Sequence, residues 1–219
     1  MAKTRRKPAN LPAGDQVIDS PIRTLAELAK AEAECTRCPL YKHATQVVPG
    51  EGRGRSRLML VGEQPGDQED KRGKPFLGPA GAILSKALAE AGIERSTVFV
   101  TNAVKHFKFE SRGKRRLHKR PNAYEIDRCH WWLDIERMLV KPEIIVALGA
   151  TAIRSISGGP LPINKTRGRV MPLADGGQML ATIHPSYILR IEDDADKRAQ
   201  YKQFVSDLKV CAKALAKAA

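Results

Sequence analysis

The chain reads as an α/β protein, with three layers (α/β/α) around a central, mostly parallel, four-stranded sheet. Three observations predict this. Apolar runs of strand length alternate with helical patterns along the chain. The runs are continuous rather than alternating, as expected of strands buried on both faces. The distinctive polar segments follow directly on the runs, where the carboxyl ends of parallel strands place a ligand.

Taken in order, residues 1–20 read as a disordered basic tail and 21–219 as one domain. Thr24-Leu25-Ala26-Glu27 fits a capping box that opens an amphipathic helix running to about Glu34. Cys35 and Cys38 follow, and Pro39 discourages continuation. Arg57 to Val61 is the first strand and leads into the polar turn Gly62-Glu63-Gln64-Pro65-Gly66-Asp67. A helix from about Ala80 to Ala91 is closed by Gly92. Val98 to Thr101 is the second strand and runs into Asn102. A helix from about Asn122 to Val140, broken by Pro142, carries Cys129, Trp131 and Trp132. Glu143 to Leu148 is the third strand, and a short helix begins at Gly149. Ser157 to Gly168, rich in Gly and Pro, reads as a loop. Met179 to Ile183 is the fourth strand and ends at His184-Pro185-Ser186. The last helix covers roughly Ala195 to Lys217.

With 42% hydrophobic residues the chain can build a full core, and its net charge of +14 points to a polyanionic partner, most simply nucleic acid. No stretch approaches the roughly 20 apolar residues of a membrane span. Met1 to Ala13 is basic and lacks the apolar core of an export signal, so the expected compartment is the cytoplasm. No heptad pattern is present, which favours a monomer.

The charge is concentrated. From Lys105 to Arg120 there are eight Lys or Arg and one acid, Glu110. Such a segment buries too little and carries too much charge to be a core element, so it is expected as a flexible surface loop held against an anion. Within it, His118 sits among Lys114, Arg115, Arg116, Lys119 and Arg120. It can contact phosphate, carry a proton or act as a nucleophile.

Cys35-x-x-Cys38 has the spacing of a metal-ligand or redox pair, and Cys129 is a third candidate; Cys211 reads as a structural thiol. A site of three cysteines and one histidine suits zinc or an iron-sulfur cluster. His43 and His130, each close to a cysteine, compete with His106 as the histidine.

The turn at Gly62 to Asp67 is compatible with an ordinary βα connection, and Phe76 with a core aromatic. Together with the segments after the other strands, however, they carry a resemblance. Gly62-Glu63-Gln64-Pro65-Gly66, Thr101-Asn102-Ala103-Val104-Lys105 and His184-Pro185-Ser186-Tyr187-Ile188-Leu189-Arg190 resemble, in order, the three motifs of the uracil-DNA glycosylase superfamily. The resemblance covers roughly residues 24 to 211. Cys35, Cys38 and Cys129 resemble three cluster ligands of the iron-sulfur family 4 branch, with His106 where that branch has its remaining cysteine. Lys114-Arg115-Arg116-Leu117-His118 and Gly62 to Asp70 (GEQPGDQED) resemble the signatures of the UdgX-type subgroup.

The resemblance implies uracil excision from DNA, a 4Fe-4S cluster on Cys35, Cys38, His106 and Cys129, and free uracil as product. It implies that Gly62, Phe76, Asn102 and Arg190 bind the extruded nucleotide, Phe76 by stacking and Asn102 by reading the base edge. Gln64 and His184 would stabilise the departing base, with Glu63 or Asp67 as proton acceptor. Lys114, Arg115, Arg116, Lys119 and Arg120 would hold phosphates. His118 would attack C1′ and leave a covalent protein–DNA adduct. A product-releasing glycosylase and a non-catalytic binder of damaged DNA are the alternatives.

Overall fold

The computed structural model describes residues 21–217 of the chain, so the tail expected over residues 1–20 lies outside the described residues. Helix α1 (Leu25–Ala33) opens with the expected capping box: the Thr24 hydroxyl accepts from the Glu27 N–H, and the Glu27 carboxylate accepts from the Thr24 N–H. Strand β1 (Leu58–Gly62) is followed by α2 (Asp67–Arg72) and α3 (Pro79–Glu90). Next come β2 (Val98–Asn102), β3 (Phe109–Arg112), β4 (Arg115–His118) and α4 (Ala123–Val140). Strand β5 (Ile144–Leu148), α5 (Ala150–Ser157), α6 (Ile163–Thr166) and β6 (Val170–Pro172) follow. The chain closes with β7 (Gln178–Thr182), α7 (Pro185–Leu189) and α8 (Asp194–Lys217).

The expected architecture is present, with one strand more than the sequence suggests. The main sheet has five strands in the order β2-β1-β5-β7-β6, and only the edge strand β6 runs antiparallel. Three residues ending in Pro172 carry no readable periodicity, and proline is tolerated there because the strand lies at an edge. Part of the segment expected as loop, Ser157 to Gly168, also folds into α6.

Strands β1, β2 and β5 are buried along their whole length. Period-two alternation explains why their apolar runs are continuous. Leu58 and Leu60 pack with Leu84, Leu88, Phe204 and Leu208 from α3 and α8. Met59 and Val61 face the other way, onto Leu133 and Val140 of α4 and Ile153 of α5. A third apolar cluster joins Leu28 of α1 to Trp132 of α4 and includes Cys35, Cys38 and Cys129.

The parallel register decides where the site falls. Gly62 pairs with Asn102, and Leu148 with Thr182. The residues that follow these strands therefore emerge side by side on one edge.

The basic segment is a β-hairpin rather than an irregular loop. Phe109 pairs with His118, Ser111 with Arg116 and Arg112 with Arg115 across a turn at Gly113 (φ +58°) and Lys114. Alternation places Arg116 and His118 on one face with Phe109, and Arg115 and Leu117 on the other. The many charges hide the pattern because only one face is packed.

Close packing makes one glycine indispensable. A Cβ at Gly81 would stand 1.8 Å from the Phe76 carbonyl oxygen. Gly81→Ala is expected to cost about 1–3 kcal/mol of stability, measured by urea denaturation.

Candidate active site

Three strand ends and the hairpin surround a cavity of about 270 Å³, lined by Gln64, Phe76, Asn102, His118 and His184 among others. It adjoins a wider groove of about 860 Å³ bordered by Glu63, Arg120, Arg167 and Arg190.

Gly62 stands against two of the residues that line the cavity. A Cβ there would lie 2.4 Å from Asn102 Oδ1 and 2.8 Å from Phe76 Cζ, so the asparagine and the aromatic ring approach through the missing side chain. Asn102 is buried, and its Nδ2 has no partner. An unmet amide donor in a cavity is matched by a ligand oxygen. Phe76 holds a left-handed backbone (φ +57°), unusual for a bulky residue. The Glu69 carboxylate braces its loop by accepting from the N–H groups of Gly66 (3.1 Å) and Gly78 (2.9 Å).

His184 follows β7 and caps α7. Its Nδ1 accepts from the Ser186 backbone N–H at 3.2 Å, which assigns the proton of the neutral ring to Nε2. Burial, helped by the nearby His118 and Arg190, pulls its pKa down to about 4. It is therefore a neutral donor at neutral pH.

Glu63 faces the hairpin. One oxygen lies 3.4 Å from His118 Nε2; the other accepts from the Thr151 hydroxyl at 2.6 Å and lies 4.0 Å from Arg120 Nε. The His118 pKa is lowered, first by burial and then by Arg190, while Glu63 opposes the shift. The shift runs in the direction the sequence suggests, but its causes are partial desolvation of the half-exposed ring and Arg190, not the cations of its own strand.

The turn residues also hold the hairpin. Gln64 Nε2 donates to the carbonyls of Lys108 (3.0 Å) and Lys119 (3.1 Å), and its Oε1 accepts from the Lys108 N–H (3.0 Å). Both ends of the hairpin are thus pinned by one side chain. Arg116 reaches inward, with Nε 2.6 Å from Asp67 and Nη1 2.6 Å from the fully buried Asp70. Its guanidinium lies over Phe107 and Phe109. Asp67 also binds Lys71 at 2.6 Å, and that hydrogen bond leads the causes that lower its pKa.

Arg116 is thus neutralised within the protein, while Lys114, Arg115, Lys119 and Arg120 stay exposed at the rim. Of the two candidate proton acceptors, Glu63 faces His118, while Asp67 is bound to Arg116 and Lys71. Arg190 is exposed beside the groove.

The cysteines lie behind Asn102. Cys35, Cys38 and Cys129 are buried in one cluster. The Trp132 indole donates to Cys35 Sγ at 3.1 Å, and the Lys105 backbone N–H to Cys129 Sγ at 3.2 Å. Burial raises the Cys38 and Cys129 pKa values. Among the described residues, no three His, Cys, Asp or Glu side chains are gathered tightly enough to hold a metal ion. The donor set fits a thiolate-bound group in its chemistry, with three soft sulfurs in a dry cluster, two of them already hydrogen-bonded. His106 is also buried, and burial takes its pKa down to about 4, giving the neutral ring that ligation requires. His43 is exposed, and His130 Nε2 lies 3.1 Å from Asp134.

Sequence reasoning missed Thr151, Asp70 and a buried ion pair. Lys105 Nζ lies 2.7 Å from Glu136 Oε2, bonds the Thr101 hydroxyl, and donates to the Asn102 carbonyl at 3.1 Å. Asp70 lies within the conspicuous GEQPGDQED run, the one available signal.

Comparison with known proteins decides the lineage, because the model of the "Uracil DNA glycosylase superfamily" matches residues 49–209. The chain belongs to this superfamily. It is 40% identical over 158 residues to the Type-4 uracil-DNA glycosylase of Thermotoga maritima, covering 72% of this chain and 79% of that one. It is 35% identical over 178 residues to the Type-4 enzyme of Pyrobaculum aerophilum, covering 77% and 85%. A Type-4 enzyme of Archaeoglobus fulgidus is 30% identical over 175 residues, covering 77% and 84%. The three-layer fold and the mostly parallel sheet are those expected of the superfamily.

Among the described residues no helix is long and apolar enough to cross a membrane.

Gln64→Ala removes all three bonds that pin the hairpin ends. It is expected to raise amide hydrogen exchange across residues 109–118 by about tenfold or more, at roughly 0.5–1.5 kcal/mol per lost bond. Exchange elsewhere in the sheet should stay unchanged.

Proposed function

We propose that this protein excises uracil from DNA and then links itself through His118 to C1′ of the abasic site. The observation that carries this reading is the imidazole of His118, delivered by a docked hairpin onto Glu63 at the mouth of the base cavity. The names of the relatives support the excision half.

A base in a duplex cannot reach such a cavity, so the nucleotide has to be extruded or presented single-stranded. Phe76 stacks on the base. Asn102 donates to O4 and accepts from N3–H, and cytosine offers the opposite pattern at both places. As the C1′–N1 bond breaks, its electron pair leaves with uracil. His184 Nε2–H and the backbone near Gln64 meet the developing negative charge, a preorganised electrostatic contribution. The sugar becomes oxocarbenium-like. The nitrogen of His118 turned away from Glu63 donates its lone pair to C1′, and the proton on the Glu63-facing nitrogen passes to that carboxylate. Uracil takes a proton from solvent, Glu63 returns its proton to solvent, and uracil leaves as the free base. The new bond has a poor leaving group, so each molecule reacts once.

Lys114, Arg115, Lys119 and Arg120 contact phosphates in this reading, and Arg116 holds the hairpin. Cys35, Cys38 and Cys129, with His106 as fourth ligand, would hold a 4Fe-4S cluster. When bound, the cluster cross-links the N-terminal segment to α4 and the end of β2. The protein would act as a monomer in the bacterial cytoplasm, on the DNA of the nucleoid.

A denaturing gel with a uracil-containing oligonucleotide tests the reading. Covalent capture gives a heat-stable, slow-migrating band. An alkali-labile break without the band means a product-releasing glycosylase, and intact DNA means binding alone. His118→Ala is expected to abolish the band. Capture should be flat from alkaline pH to the ordinary imidazole value of 6.5 and fall only below it, because the His118 pKa is lowered and the neutral ring attacks. The purified protein should contain iron and acid-labile sulfide, and Cys129→Ala should lose both, as elemental analysis would show.

A further inference from the structure

Glu63 has two oxygens, and only one faces His118. The other is held by Thr151, a fully buried residue in the first turn of α5 and 88 positions away in sequence. Thr151 is the second residue of α5, where no helical carbonyl lies one turn back, and its hydroxyl donates to Glu63 Oε2 at 2.6 Å. Burial of the threonine leaves its side chain little freedom, and its β-branch restricts χ1 further. The carboxylate also lies near the start of α5, where the backbone dipole favours negative charge. Gly149, with its left-handed backbone (φ +89°), turns the chain from β5 into α5 directly against His184, and a Cβ there would lie 3.2 Å from the His184 Cβ.

We propose that Thr151 is a positioning residue for covalent capture: its hydroxyl fixes the Glu63 carboxylate so that the opposite oxygen stays aimed at His118. The inference rests on the capture reading above. A freely rotating Glu63 can turn toward Arg120, whose Nε already lies 4.0 Å from the same oxygen that Thr151 holds. The hydroxyl opposes that rotation. The chemistry needs Glu63 in place at one moment, when the bond between the imidazole nitrogen and C1′ forms and the proton on the other nitrogen moves to the carboxylate. A carboxylate turned away leaves that proton without an acceptor, and water then competes for C1′.

The test uses the full-length protein and a uracil-containing single-stranded oligonucleotide. Released uracil and covalent adduct are quantified separately over time. The isosteric Thr151→Val is expected to lower the ratio of adduct to released uracil by about ten- to a hundredfold, the scale of an ångström-level misplacement. Free abasic sites should appear in place of the adduct. Thr151→Ser, which keeps the hydroxyl, should restore the ratio to near the parental value. Should Thr151→Val fail to fold, Thr151→Ala against Thr151→Ser makes the same comparison. A parental ratio in the valine or alanine variant overturns the assignment, as does a serine variant as defective as valine. If the parent itself forms no adduct, the capture reading falls and this inference with it. If the parent captures and the valine variant captures equally, only the role of Thr151 is lost.

Discussion

A guanidinium shared between two carboxylates holds the functional edge together. Arg116 comes from a hairpin dense in positive charge, and such a segment docks on a protein only where its charge is answered. Asp67 and Asp70 answer it, and the rings of Phe107 and Phe109 lie against the guanidinium. Nearly every polar side chain of the run Gly62 to Asp70 then has a task in one assembly. Gln64 pins the hairpin ends, Asp67 and Asp70 bind its arginine, and Glu69 braces the Phe76 loop. Glu63 receives the histidine that the hairpin delivers. The turn is a socket, and the hairpin fits it through the side chains of Arg116 and His118 and the backbone of Lys108 and Lys119.

Much of this architecture was legible from local pattern. Continuous apolar runs identified four of the strands of the main sheet, because burial on both faces leaves an unmistakable composition. The capping box at Thr24 was readable for the same reason: its partners are three residues apart. Other features were hidden by distance or by charge. Thr151 and Glu63 are separated by 88 residues, and neither one's neighbourhood mentions the other. The hairpin looked like a loop because its two strands pack one face only, and polar residues fill the rest. Arg116 is indistinguishable in sequence from Arg115, yet alternation sends one inward and the other out. β6 is too short to carry a period.

The rear of the site has its own electrostatics. Lys105 is fully buried; burial works against its charge, and Glu136 and Glu32 more than offset that, so its pKa is raised. Glu32 is buried with neither oxygen hydrogen-bonded, and burial lifts its pKa to about 8. The same Lys105 donates its side chain to the Asn102 carbonyl and its backbone N–H to Cys129. One residue therefore spans the base cavity and the cysteine cluster.

The two kinds of arginine in the hairpin also differ in their response to the medium. Screening in salt acts over a Debye length of about 8 Å at physiological ionic strength and reaches exposed charges far more than enclosed ones. Arg115 and Arg120 stand in solvent, whereas Arg116 lies between carboxylates and aromatic rings. On the function proposed above, added salt weakens the grip on the phosphate backbone and slows encounter. It leaves the seat of His118 unchanged. Ionic strength then governs how often the protein meets its target, and Arg116, enclosed with its two carboxylates, keeps the hairpin seated for the later unimolecular step.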